Sequence, residues 1–235
     1  MLQISVAEIS VEVIHKEIKN LHLGVYPPDG RVRVAAPFSV NDEAVRLAVI
    51  ARLPWIRKQR ESFQNQMRES PRTYTSKECH SFLGREYLLT ITETAGKQGV
   101  SITETGEMIL SVRPGADTKR REKVLSDWHK KELKKLISPL IAKWEPVLGV
   151  RVAAFGIRKM KTKWGSCNPK TARIVINTEL IKKPVHCLDY IVLHEMVHLI
   201  EKRHNDRFRS ILTRHMPNWQ DIRNELNNTP IPEFL

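Results

Sequence analysis

The 235-residue sequence predicts an α+β fold: a mostly antiparallel β region with a helix over residues 1–116, then a mainly helical half with a short sheet over residues 117–235. Three observations carry this expectation. Runs of alternating apolar and polar residues, separated by turns rich in Gly and Pro, crowd the first half. From Thr118 onward apolar residues recur at spacings of three and four, the helical period. A hydrophobic content of 41% over this length suits an ordinary globular core and argues against a disordered or fibrous chain. The two halves could equally form one compact unit.

In order, "LHLGV" and "RVRVAAP" flank the turn-rich "YPPDG", so residues 21–36 read as a hairpin. Asn41 offers a cap for the helix "DEAVRLAVIARL", which Pro54 kinks or restarts before "WIRKQRESF". The polar stretch "QNQMRESPRTYTSKE" reads as a connector. "REYLLTITET", "GVSITET" and "EMILSVRPG" are three strands for which an antiparallel sheet is the natural arrangement. A long helix follows, carrying Leu125, Trp128, Leu133, Leu136, Ile137, Leu140, Ile141 and Trp144 on one side, with Pro139 as a candidate kink. "AAFGIRKMKTKW" and "ARIVINT" are strands joined through "GSCNPKT". A further helix runs from about Pro184, suited to a first helical position, to about Glu201, and a last one begins near Asn205. No internal repeat and no low-complexity segment is visible.

The formal charge of +13 is concentrated. Residues 117–173 hold sixteen Lys and Arg against five Asp and Glu, whereas residues 174–235 are balanced at eight of each. That excess suits an anionic partner, nucleic acid or an acidic substrate. It equally suits the solvated face of a helix bearing Lys130, Lys131, Lys134 and Lys135, the commoner case. No apolar run approaches the roughly 18 to 20 residues of a membrane span, and the first residues lack a signal-peptide pattern, so a cytoplasmic location without membrane partners is expected. Cys79, Cys167 and Cys187 are too scattered for a disulfide framework and are read as reduced thiols. Nothing in the sequence sets the oligomeric state.

The chemistry concentrates in "HEMVHLIEKRH", residues 194–204. At about 100° per residue, His194 and His198 differ by about 40° on the helical wheel and lie one turn apart, so both imidazoles can converge on one ion. Glu195 can reach a water on that ion rather than the ion itself. Zinc on imidazole nitrogens brings such a water to a pKa of about 7, within reach of a neighbouring carboxylate base. His204 would lie about 9 Å further along an unbroken helix and about 100° off the pair's direction, so it joins only if the chain leaves the helix between them. "EKR" is a polar exit, and Asn205 with Asp206 can cap a new helix with Phe208, Ile211 and Leu212 on its apolar side. No Gly or Pro marks that break. The alternative, histidines buried or exposed for packing reasons, conflicts with "LDYIVLHEMVHLI", where unpaired polar groups in so apolar a helix would be costly.

The segment "MKTKWGSCNPKTARIVINTELIKKPVHCLDYIVLHEMVHLIEKRHNDRF" resembles the YgjP-like zinc metallopeptidases, a family related to the SprT-like and Wss-type proteases. The likeness is dense over residues 158–219, including "MPNW", and looser elsewhere, as in "LGREYLLTI". It implies that the second half is zincin-like, that His194, His198 and His204 hold zinc, and that Glu195 is the catalytic residue acting on a peptide or protein substrate. The ligand spacing equals that of metzincins, but those have Gly where this chain has Glu201, so their methionine turn is not carried over.

In "KWGSC", Gly165 permits a turn or a close backbone approach. Lys163 and Trp164 are candidate substrate contacts, although Trp164 suits core packing as well. Cys167 reads as a buried thiol rather than a fourth ligand, since a catalytic zinc keeps an open position, and Cys187 is too far from His194 to share its ion. Lys159, Lys161 and Lys163 alternate with Met160, Thr162 and Trp164, giving a basic face if the stretch is a strand. The expected activity is peptide hydrolysis by a zinc-activated water, with "ARIVINT" aligning an extended substrate. Two alternatives stay open: a metal-dependent phosphohydrolase acting on nucleotides, and a nucleic-acid-associated protease acting on DNA-bound proteins through segment 117–173.

Overall fold

In β2 (Ile9–Lys16), Ile9, Val11 and Val13 are buried while Ser10 and Lys16 are exposed, and β4 (Arg31–Pro37) repeats the pattern with Val32, Val34 and Ala36 inside. Period-two burial gives a sheet with one face on a core. The computed structural model describes residues 2–26, 29–65, 68–69, 72–160, 162–228 and 231–232. With β1 (Leu2–Val6) and β3 (His22–Tyr26), the first sheet has the order β1-β2-β4-β3, its two outer pairings antiparallel and its central β2/β4 pairing parallel. The expected hairpin is thus β3/β4, its residues 27–28 lying outside the described residues. Asn41 caps α1 (Asp42–Ile50), its Oδ1 accepting from Ala44 N at 2.9 Å. The helix stops before Pro54, and α2 (Leu53–Asn65) restarts there. Val45, Val49 and Ile56 close the core over the sheet's buried valines. The expected connector lies partly outside the described residues, and its Arg68–Glu69 forms β5, parallel to β13 (Ile231–Pro232).

The second sheet comprises β6 (Cys79–Phe82), β7 (Arg85–Glu93), β8 (Gly99–Ile102) and β9 (Glu107–Val112) in the order β6-β7-β9-β8. The three expected strands are present, but β7 and β9 pair in parallel, with β8 outside them. This corrects the expectation of a purely antiparallel sheet. It also reveals a repeat of wiring invisible in the residues, because order and strand senses match those of the first sheet. Each opens with a two-residue hairpin turn whose residues both take positive φ, Ala7 and Glu8 in one and Leu83 and Gly84 in the other. Positive φ at both turn positions matches the right-handed twist of the strands it joins.

Asp117 caps α3 (Thr118–Leu148) through Arg120 N at 2.8 Å, and Gly149, at φ 64°, ends it. The helix runs through both Pro139 and Pro146 without interruption. Leu133, Ile137, Ile141 and Trp144 line the main core, which they share with residues of α4 (Val185–Val197), α5 (Asp206–His215) and α6 (Trp219–Asn228). Two helices therefore stand where a single last helix is expected. A three-stranded sheet, β10 (Ala154–Arg158), β11 (Gly165–Asn168) and β12 (Arg173–Asn177), has the order β10-β12-β11, with β10 parallel and β11 antiparallel to the central β12. The supposed connector "GSCN" is thus a strand. Conversely β10 ends at Arg158, so the stretch with Lys159 and Lys163 is a loop without a basic strand face, Lys161 lying outside the described residues. A 3-10 helix, Thr178–Lys182, leads into α4.

The chain divides into two units, Met1–Pro71 with Pro230–Leu235 and Arg72–Thr229. Within the second, Leu89, Met108, Leu110 and Val112 of the second sheet share a core with Val124 and Leu125 of α3. Among the described residues no helix is long and apolar enough to cross a membrane.

Candidate metal centre

Nearly every residue of α4 is apolar and buried, from Cys187 to Val197, and this makes it a fixed rod for the groups it carries. His194 and Glu195 lie in its last turn, and His198 is its C-terminal cap. The exit needs no glycine. Leu199 N donates to Met196 O and Ile200 N to Val197 O, the tighter i to i−3 pattern that winds up a helix end. His198 Nδ1 donates to Glu201 O at 3.1 Å, Glu201 Oε1 accepts from Arg203 N at 3.2 Å, and Asn205 Oδ1 accepts from Phe208 N at 3.0 Å to start α5. None of the positive-φ residues falls between 198 and 205. Three side chains thus do the work of a glycine.

This turn brings His204 back. Its Nε2 lies 3.1 Å from His194 Nε2, the three ring centroids are 4.7 to 5.1 Å apart, and one nitrogen from each ring falls within 4.8 Å of the others. Phe208 backs all three rings at 4.7 to 4.9 Å. A carbonyl only accepts, so the His198 proton sits on Nδ1 and Nε2 keeps its lone pair. At His194 the Tyr190 hydroxyl stands 3.5 Å from Nδ1, leaving Nε2 for the cluster. Burial, then the neighbouring His198 and His204, push His194 down to about 3, and burial lowers His198 and His204 too. Neutral imidazoles with converging lone pairs are the state a divalent transition metal requires, and the 3.1 Å between His194 Nε2 and His204 Nε2 suits two nitrogens each about 2 Å from one ion. The donor set fits a metal.

Glu195 is 5% exposed. Burial pushes its carboxyl up to about 8, with the Lys163 charge opposing. Gly165, the first residue of β11, passes so close that a Cβ there would lie 2.5 Å from Glu195 Oε1. This is the close approach anticipated for that glycine. The loop leading into it is held by buried Asn177, whose Nδ2 donates to Met160 O at 2.9 Å and Lys163 O at 2.8 Å while its backbone N donates to Trp164 O. A cavity of about 530 Å³ opens over the histidines and Glu195, and both Lys163 and Trp164 line it. Trp164 also packs against the main core. Cys167 lines the cavity but lies outside the histidine group, its thiol pushed up to about 11 by burial and by Glu195. Cys187 sits instead with His186 and Glu225.

Tyr190, Phe208, Lys202 and Arg223 also belong to this site and are not anticipated from sequence. Tyr190 is legible in principle, four residues before His194 on the same helix face. Arg223 is not, because α6 is itself unexpected.

Residues 19–229 match the family described as YgjP-like, metallopeptidase domain. The chain belongs to the YgjP-like metallopeptidase family. This metallopeptidase therefore acts on peptide bonds with a metal ion, and the resemblance drawn from residues 158–219 extends over most of the chain. Among solved structures it is similar to the metallopeptidase zymogen jannalysin of Methanocaldococcus jannaschii, with 23% identity, TM-score 0.35, and coverage of 38% of this chain and 92% of that one. The zymogen abylysin of Pyrococcus abyssi is similar at 19% identity and TM-score 0.36, covering 38% and 90%. No curated protein matches this metallopeptidase.

Proposed function

We propose that the metal is zinc, held by His194, His198 and His204, and that Glu195 is the general base of peptide hydrolysis. The observation supporting this most directly is the convergence of three neutral imidazoles beside a buried carboxylate in one cavity. Zinc bound there supplies a Lewis acid that polarises the scissile carbonyl and acidifies the attacking water. Glu195 takes the proton of that water and delivers it to the leaving amine. Its burial serves this role, because a carboxylate whose charged form is disfavoured is the stronger base. β12 cannot align the substrate as expected from "ARIVINT", since β10 and β11 occupy both its edges. β11 takes over that role, an outer strand starting at Gly165 beside Glu195, along which an extended peptide can add main-chain hydrogen bonds.

The test is Glu195→Gln, which keeps shape but not basicity. Zinc content near one per chain with turnover down by about two to four orders of magnitude is expected, whereas near-normal hydrolysis would remove Glu195 from the mechanism. His198→Ala or His204→Ala should instead lose the metal, read by elemental analysis.

A further inference from the structure

The cavity over the histidines is lined by three cations, Lys163, Lys202 and Arg223, and by one carboxylate, Glu195, which is buried. A second depression of about 370 Å³ is lined by Arg158, Lys159 and Lys163 with Met160, Thr162 and Ser166. Thr162, Lys163 and Ser166 belong to both, so the two hollows are the two flanks of one ridge. Among the described residues no exposed acidic side chain lines either hollow. Asn177 holds the ridge's backbone at Met160 and Lys163. A groove lined mainly by cations attracts and orients an opposite charge.

We infer that this groove selects peptides bearing acidic side chains beside the scissile bond, with Lys163 at the crossing and Arg158 on the outer flank as specificity-determining residues. The inference rests on the peptidase reading for its substrate class. Carboxylates are the anionic groups a peptide offers at residue spacing, and both hollows lie within a few residues' reach of Glu195. An inorganic or nucleotide polyphosphate carries similar charge, and the test separates the two.

Zinc-loaded Glu195→Gln protein is titrated with three fluorescein-labelled peptides of one length whose flanking residues are Glu, Gln or Lys, read by fluorescence anisotropy. The Glu peptide should bind about tenfold or more tighter than the Gln peptide, the Lys peptide weakest, with the difference shrinking in high salt. Arg158→Glu and Lys163→Glu should each erase most of that preference. Lys163→Gln, a milder change, keeps the test open should a reversal disturb folding. Equal affinities for the three peptides, or a preference untouched by both reversals, would overturn the inference. So would tight binding of tripolyphosphate with no preference for Glu over Gln. Cleavage of the same peptides by wild-type protein is read separately: a Glu peptide that binds but stays intact supports the acidic subsite while sinking the peptidase mechanism, and one that neither binds nor is cut sinks both.

Discussion

Gly165 and Glu195 define the tightest tolerance in the site. An added Cβ would meet Oε1 at 2.5 Å, Cγ at 2.7 Å and Cδ at 2.8 Å, so the whole carboxylate end would have to move rather than one flexible atom. Gly165→Ala should therefore retain the histidine cluster and its metal while lowering turnover by about a hundredfold, since displacements near 1 Å cost that much in positioned catalysis. Metal content measured beside kcat checks this, and unchanged kcat would show that the Glu195 placement does not limit the reaction. His194, Glu195 and His198 were readable as a group because helical spacing brings them together, whereas His204 could be placed with them only through a break after His198, which no glycine or proline marks. Asn177 was not, because its partners Met160 and Lys163 are 17 and 14 residues away and no local pattern announces a side chain that anchors a loop.

Among elements, the turn at Leu83 and Gly84 ties the second sheet to the approach of α4. Leu83 N donates to Ile181 O at 2.8 Å and Gly84 N to Lys182 O at 3.2 Å, both in the 3-10 helix that precedes α4. Gly84 combines a φ of +80° with a Cβ position 2.7 Å from Pro184 Cγ. Gly84→Ala should destabilise the protein by roughly 2 kcal/mol through left-handed strain and this clash, seen as a lower denaturant midpoint. A midpoint within a few tenths of a kcal/mol of wild type would show that the turn relaxes freely. The β3/β4 hairpin, the Asn41 cap, α3 and α4 were legible because each is signalled by local alternation, capping or periodicity. The β7/β9 pairing was not, since alternation marks a strand and its buried face without choosing its neighbour. β11 escaped notice because "GSCN" has none of the β-branched or aromatic residues that mark strands.

Across the whole molecule, the buried histidines make stability depend on pH. His129 is 6% exposed and stacked on Phe82, its Nε2 has no hydrogen-bond partner among the described residues, and burial followed by the charges of Lys182 and His80 pushes it down to about 3. His80 is lowered as well, chiefly by burial. Unfolded histidine takes its proton near pH 6.5, so the unfolded chain gains protons first and stability falls as pH drops from about 6.5 toward about 3. His129 alone should contribute a slope of about 1.4 kcal/mol per pH unit in that window. Urea unfolding of wild type and His129→Phe between pH 7 and 4 should differ by about one proton in linkage, and parallel slopes would show that His129 does not titrate on unfolding. The concentrated charge of segment 117–173 was legible as a number but not as a surface. Part of it is met locally, as Lys123 pairs with Asp127, Lys135 with Glu132 and Lys143 with Asp189.

The repeated wiring of the two four-stranded sheets bears on the order in which the molecule assembles. Each sheet is made from one unbroken stretch, residues 2–37 and 79–112, and closes through short connections. The histidine site instead gathers groups scattered from residue 158 to residue 227. Short loops close at lower entropic cost, and chains rich in nearby contacts reach their transition states sooner. A ribosome would therefore have extruded both sheets, each able to set its own strand register, before His194 left the exit tunnel. The wall of the histidine cavity is completed last, once α6 has supplied Arg223 and Leu226 to it.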